Sequence, residues 1–172
     1  MTANELNNDP VYGVVLTDGQ SISIVEINPN EEIFDCARRT IGCEWIESVE
    51  PDLLRKKGCV LLIDQEAKLK TSPFVNCVAS YLYESQRHGD MIVGDAVIVK
   101  SGDESFEMLT GDEARELAAE MISLRAKAIR QISSALGLSP VPMSKHTDSI
   151  SAELRQSAER NRQPCKNDPL ER

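Results

Sequence analysis

Histidine and aromatic residues are scarce in this chain of 172 residues: two His, one Trp, three Tyr and three Phe. His88 and His146 lie far apart, without the paired spacing of structural zinc sites, so no metal and no cofactor are expected. So few histidines also leave general acid–base chemistry to carboxylates. No apolar run approaches the ~20 residues that a membrane helix needs, which excludes a helical span. The opening residues, MTANELNNDP, carry neither the basic start nor the apolar stretch of a secretory signal, and a cytoplasmic location is expected. Five cysteines (Cys36, Cys43, Cys59, Cys77 and Cys165) contain no C-x-x-C pair. An odd number at wide spacings is no disulfide framework, and free thiols in a reducing compartment are expected.

Catalytic motifs are missing too. The chain has no G-x-S-x-G, P-loop, G-x-G-x-x-G after a strand, or H-E-x-x-H. Ser80 and His88 straddle a helix end without an orienting carboxylate, which is no triad. No catalytic residue is assigned, and the expectation leans away from an enzyme.

Acidic charge, by contrast, is abundant. Residues 1–122 hold 23 Asp and Glu against 10 Lys and Arg, a net −13. Residues 123–172 hold 5 against 9, a net +4, so the whole chain carries −9. An acidic body repels phosphates, and direct nucleic-acid binding is not expected. Arg55-Lys56-Lys57 is too small a cluster to reverse that. The body suits a basic protein partner or mimicry of DNA, although a solvated acidic surface needs neither.

Residues 1–10 read as a disordered N-terminus, 11–137 as one α+β domain and 138–172 as a linker followed by a mostly disordered, flexible tail. Val11–Thr17 and Ser21–Ile27 form a hairpin about Asp18-Gly19, both of which tolerate positive φ. Asn28 and Pro29 open a helix that buries Ile33, Ala37 and Ile41 and stops at Gly42. Residues 43–49 alternate as a strand, in which Trp45 reads as a core or rim residue. Cys59–Ile63 is a continuous apolar run of the kind buried on both faces. Met91–Val93 and Ala96–Val99 are strand segments, and 105–109 adds a short edge. Thr110 and Glu113 make a capping box for a long helix to about Leu136, ended by Gly137. Its apolar 3–4 spacing also suits a homodimer through residues 111–136. The fold class is α+β: a mainly antiparallel sheet with helices packed on one face and a long C-terminal helix.

The stretch from Lys68 to Val99 carries the candidate site. Ser72 and Pro73 suit a helix start. Phe74, Val78 and Leu82 then form a buried stripe, with Asn76, Ser80 and Tyr83 a polar stripe beside it. Asn76 either pins a neighbouring loop through backbone hydrogen bonds or reads a ligand, and pinning is the commoner use of such an amide. Tyr83 offers an aromatic face, whose bland reading is packing with its hydroxyl at the surface. Asp95 follows Gly94 as a turn residue. The expected ligand-binding set is Asn76, Ser80, Tyr83 and Asp95.

The pattern P-x-x-N-x-x-A-S-x-L-Y at Pro73–Tyr83, with I-x-G-D-x-x-I-V at Ile92–Val99, resembles the small domain of unknown function three-eight-four-six. Gly42, Gly58 and the run Cys59–Ile63 fit the same pattern, and the likeness covers about residues 12–122. It implies a bacterial, phage or plasmid setting and transfers no reaction, substrate or catalytic residue. The expectation is a non-enzymatic cytosolic binding protein with a protein partner, an accessory or anti-defence factor of a mobile element. The alternatives are an acidic DNA mimic that inhibits a DNA-binding enzyme, and a nucleotide-like ligand pocket near Asn76.

Overall fold

The expected first hairpin joins β1 (Val11–Leu16) to β2 (Ile22–Ile27), with Val11 opposite Ile27 and Leu16 opposite Ile22. The structure, a computed structural model, describes residues 9–70 and 74–138. The expectations placed on 1–8, on Ser72-Pro73 and on the tail from 139 lie outside the described residues. The hairpin turn differs from the expected two-residue form. Positive φ falls on Gln20 (67°), and the Gln20 N–H closes back on the Thr17 carbonyl at 3.0 Å. The loop therefore takes in Gln20 as well as Asp18-Gly19.

The order continues with α1 (Ile33–Ile41), β3 (Ile46–Val49), α2 (Asp52–Arg55) and β4 (Cys59–Asp64). A 3₁₀ turn (Ala67–Leu69), α3 (Cys77–Leu82) and α4 (Ser85–His88) follow. The chain then forms β5 (Ala96–Ser101), β6 (Phe106–Glu107) and α5 (Gly111–Ala135). The strands form one six-stranded antiparallel sheet in the order β2-β1-β5-β4-β3, with β6 paired to β5. The fold is α+β, and its long last helix begins with the expected capping box of Thr110 and Glu113.

Strand β4 is buried at all six positions because it lies inside the sheet and both faces are covered. On one face Leu61 and Ile63 meet Val14, Leu16, Ile98, Val78, Leu82, Leu117 and Met121. On the other, Val60 and Leu62 join Val15, Val97 and Val99 under Ala37, Ile33, Ile41 and Phe106. Helices α2, α3 and α5 therefore share the first face, while α1 lies on the second. Placing all helices on one face holds for the later ones only. The continuous apolar runs in β4 and β5 need a second cover, and α1 supplies it.

Three local boundaries move for identifiable reasons. Helix α1 starts at Ile33, not at Pro29. Asn28 uses its carbonyl and side-chain oxygens on Glu31 and Asn30 N–H groups, which makes a turn ahead of the helix. Helix α3 starts at Cys77, because Asn76 N–H bonds to Ile92 O and Val75 bridges to Val93, holding the preceding chain extended. Phe74, expected on the buried stripe, is consequently outside and 65% exposed. Met91–Val93 is no strand for the same reason: it answers to α3 instead of to the sheet. Trp45 sits just ahead of β3 and is 57% exposed, a rim residue and not a core one.

Helix α5 buries Ala114, Leu117, Ala118, Met121, Ala128 and Ile132 within this chain. Most of the apolar spacing that suits a dimer seam packs on the helix's own domain, while Leu124 is partly buried and Ile122, Ala135 and Leu136 are exposed. No helix among the described residues is long and apolar enough to cross a membrane.

Candidate functional site

Asn76 is completely buried, at the point where the first hairpin, α3 and the Gly94-Asp95 bend converge. Its side-chain carbonyl accepts from Ala79 N–H at 3.1 Å, capping α3. Its amide donates to Leu16 O and Gly94 O, both at 2.9 Å. Both amide protons are thus used on backbone acceptors, one from the end of β1 and one from the bend before β5. Gly94 sits at φ 79°, where a side chain would be strained.

Two neighbours complete this polar knot. Gln20 donates to Asp18 O at 2.6 Å and Val75 O at 2.9 Å, and accepts from Cys77 N–H at 3.0 Å. Asp95 accepts from Asp18 N–H at 3.0 Å. Partial burial raises the Asp18 carboxyl above its usual range, the nearby Asp95 charge adds to that, and the Gly19 N–H opposes it. Gln20 gave no sequence signal. It is a long polar side chain in a turn, and only the folded chain shows it reaching the start of α3.

The four expected site residues do not share one surface. Asn76 and Asp95 belong to the knot. Ser80, fully buried one turn along, donates to Ile92 O at 3.1 Å and accepts from Ile92 N–H at 2.9 Å. Tyr83 is half-buried, with its ring edge-on to His88 at 5.0 Å and its carbonyl 2.9 Å from His88 Nε2. It lines a recess of about 90 Å³ together with Glu47, Asp64, Lys68 and Asp90, a recess that none of the other three residues lines.

A second concavity of about 250 Å³ lies between α5 and the β4–β5 ribbon. Lys57 pairs with Glu120 at 2.6 Å and Lys100 with Glu113 at 2.9 Å across it, and Cys59 is part of its wall. Burial, and then the Glu113 charge, push the Cys59 thiol up. A thiol held protonated is a poorer nucleophile, and Cys59 is buried in the main core cluster.

A third concavity, about 630 Å³, lies where the start of α1 faces the β5–β6 turn. Its apolar lining is Ile33, Phe34, Phe106 and Met108, with the two phenyl rings 5.5 Å apart in an edge-on pair. Five carboxylates surround it: Glu31, Glu32, Glu50, Asp103 and Glu104. Glu31 is held by Arg39 at 2.6 Å, and among the described residues the other four form no ion pair. Sequence reasoning missed this groove. The acidic pairs Glu31-Glu32 and Asp103-Glu104 each precede a phenylalanine within three residues, yet only the sheet brings the two segments together.

Among the described residues no three His, Cys, Asp or Glu side chains are grouped to hold a metal ion. No curated protein and no solved structure matches the chain. Residues 11–122, from the first strand into the middle of α5, match the model of a domain of unknown function, DUF3846, and the chain belongs to that family.

Proposed function

We propose that this chain is a non-enzymatic binding protein whose ligand is another protein. The observation that carries the reading is the groove at the start of α1, where an apolar aromatic lining meets a carboxylate rim. That combination suits a macromolecular contact, with a core for burial and a rim for orientation. The polar residues that chemistry would call on are engaged in holding the fold: the Asn76 amide and the Ser80 hydroxyl both bond to backbone. The same fact weighs against a nucleotide-like pocket at Asn76. DNA mimicry draws on the −13 body, but the acids Glu31, Asp64, Asp90, Glu113 and Glu120 are each paired with a cation. An accessory or anti-defence role in a cytoplasmic phage or plasmid setting belongs to this proposal and draws on the family resemblance.

The test is native purification of the tagged full-length chain from cells that encode it, followed by native mass spectrometry. A stoichiometric protein partner is expected. The mass of the tagged chain alone, with no partner after cross-linking in the cell, would overturn the reading.

A further inference from the structure

We infer that the groove between α1 and the β5–β6 turn docks a basic segment of a partner protein. The segment places an aromatic or long aliphatic side chain against Phe34 and Phe106, and sets lysines or arginines on either side against the carboxylates. This rests on the binding-protein reading and specifies its partner.

Size is the first argument. A volume of about 630 Å³ lies within the range of formed ligand sites and exceeds what a single side chain fills. Charge is the second. The groove is lined by five carboxylates and by no lysine or arginine, and Arg39 neutralises only Glu31. An acidic peptide, a phosphate backbone or the same face of a second copy would each meet like charge there. A basic segment meets complementary charge, which steers encounter and fixes register.

Rigidity is the third. Phe34 and Phe106 brace one another edge-on across the two elements. The acidic turn is closed by Gly102 N–H on Ser105 O at 2.9 Å, and a Cβ at Gly102 would stand 2.3 Å from that same oxygen. The turn carrying Asp103 and Glu104 is therefore tight and needs glycine at its start. Apolar anchor and charges are both in place before anything binds, which lowers the ordering cost of association.

Fluorescence anisotropy on the full-length chain tests this with a labelled octapeptide: a central Leu-Phe pair, with three Lys or Arg residues on each side. Saturable binding is expected. It should weaken about tenfold or more in Phe34→Ala, and as much in the double variant Asp103→Lys, Glu104→Lys. Raising NaCl from about 50 to about 300 mM should weaken it too. A control peptide with Ser-Ser in place of Leu-Phe should bind at least about tenfold less well, since two large apolar side chains no longer leave water. The double variant changes only exposed turn residues, so it carries the test even where Phe34→Ala loosens the fold.

The inference is overturned by no saturable binding, by equal binding by the variants, or by equal binding of the Ser-Ser peptide, which would mark charge attraction alone. A dimer by sedimentation that the double variant dissolves also overturns it, because the occupant is then a second copy. A natural partner that co-purifies equally with wild type and double variant sinks the groove and leaves the binding-protein reading standing. Absence of any natural partner sinks that broader reading.

Discussion

Asn76 joins three separate pieces of chain through one side chain, and that explains its complete burial. Removing it leaves the Leu16 and Gly94 carbonyls and the Ala79 N–H without their partner. Buried groups left unpaired cost about 1–3 kcal/mol each, with partial relief as water enters. Asn76→Ala should therefore lower unfolding free energy by about 3 kcal/mol, read from urea titration by circular dichroism. Asn76→Asp keeps the cap but sets carboxylate oxygens against two carbonyls, and should be no more stable than Ala. A surface ligand-reader would instead change stability by under about 0.5 kcal/mol, and such a result would remove the structural role. The sequence singled out Asn76 and gave pinning as its commoner use, because a short amide beside an apolar stripe has few other outlets. Gln20 was not legible. Its role needs the turn to bring its side chain to the start of α3.

At the scale of elements, β4 makes the clearest case. Leu61 and Leu62 are adjacent, both fully buried, and point to opposite faces. Truncation of either to Ala should cost about 2–5 kcal/mol in chemical denaturation. A sheet covered on one face only would show one large and one small effect, so a cost under about 1 kcal/mol for either leucine contradicts the two-sided core. The apolar run Cys59–Ile63 announced double burial, but the sequence did not say which helix covers which face. Helix α1 takes the second face because its buried Ala37, flanked by Ile33 and Ile41, meets the Val60, Leu62, Val97 and Val99 side.

Helix α5 adds a pH-dependent term. Its capping Glu113 titrates below its ordinary 4.5, first because Thr110 N–H bonds to it and then because Lys100 does. A carboxylate depressed in the folded state contributes stability that is fully present above its unfolded pKa and is lost as pH falls through the folded value. Glu113→Gln should therefore lose less stability than wild type between pH about 5 and about 3, compared by denaturation midpoints at each pH. Parallel acid limbs in the two proteins would refute the linkage.

For the whole molecule, self-repulsion is the relevant quantity. A net −9, with −13 on residues 1–122, opposes compaction at low ionic strength. The ion pairs among the described residues are mostly well exposed, where each contributes about 1 kcal/mol or less. Screening should therefore relieve more repulsion than it removes attraction. Thermal unfolding should move up by a few degrees between about 10 and about 200 mM NaCl. A downward shift would mean that the ion pairs outweigh the net charge.

The sequence by itself determined the class of fold, the first hairpin, the doubly buried β4 and the capped helix α5. Each of these follows from interactions between residues close in the chain: alternation, an apolar run, or a capping spacing read over four residues. Tertiary structure decided the rest. It capped α3 at Asn76, whose N–H bonds to the Ile92 carbonyl, sent α1 to the second face, and set Phe34 beside Phe106 across the end of the sheet. Those outcomes depend on contacts between residues distant in the chain, whose partners are set by strand order β2-β1-β5-β4-β3, and local pattern carries no record of that order.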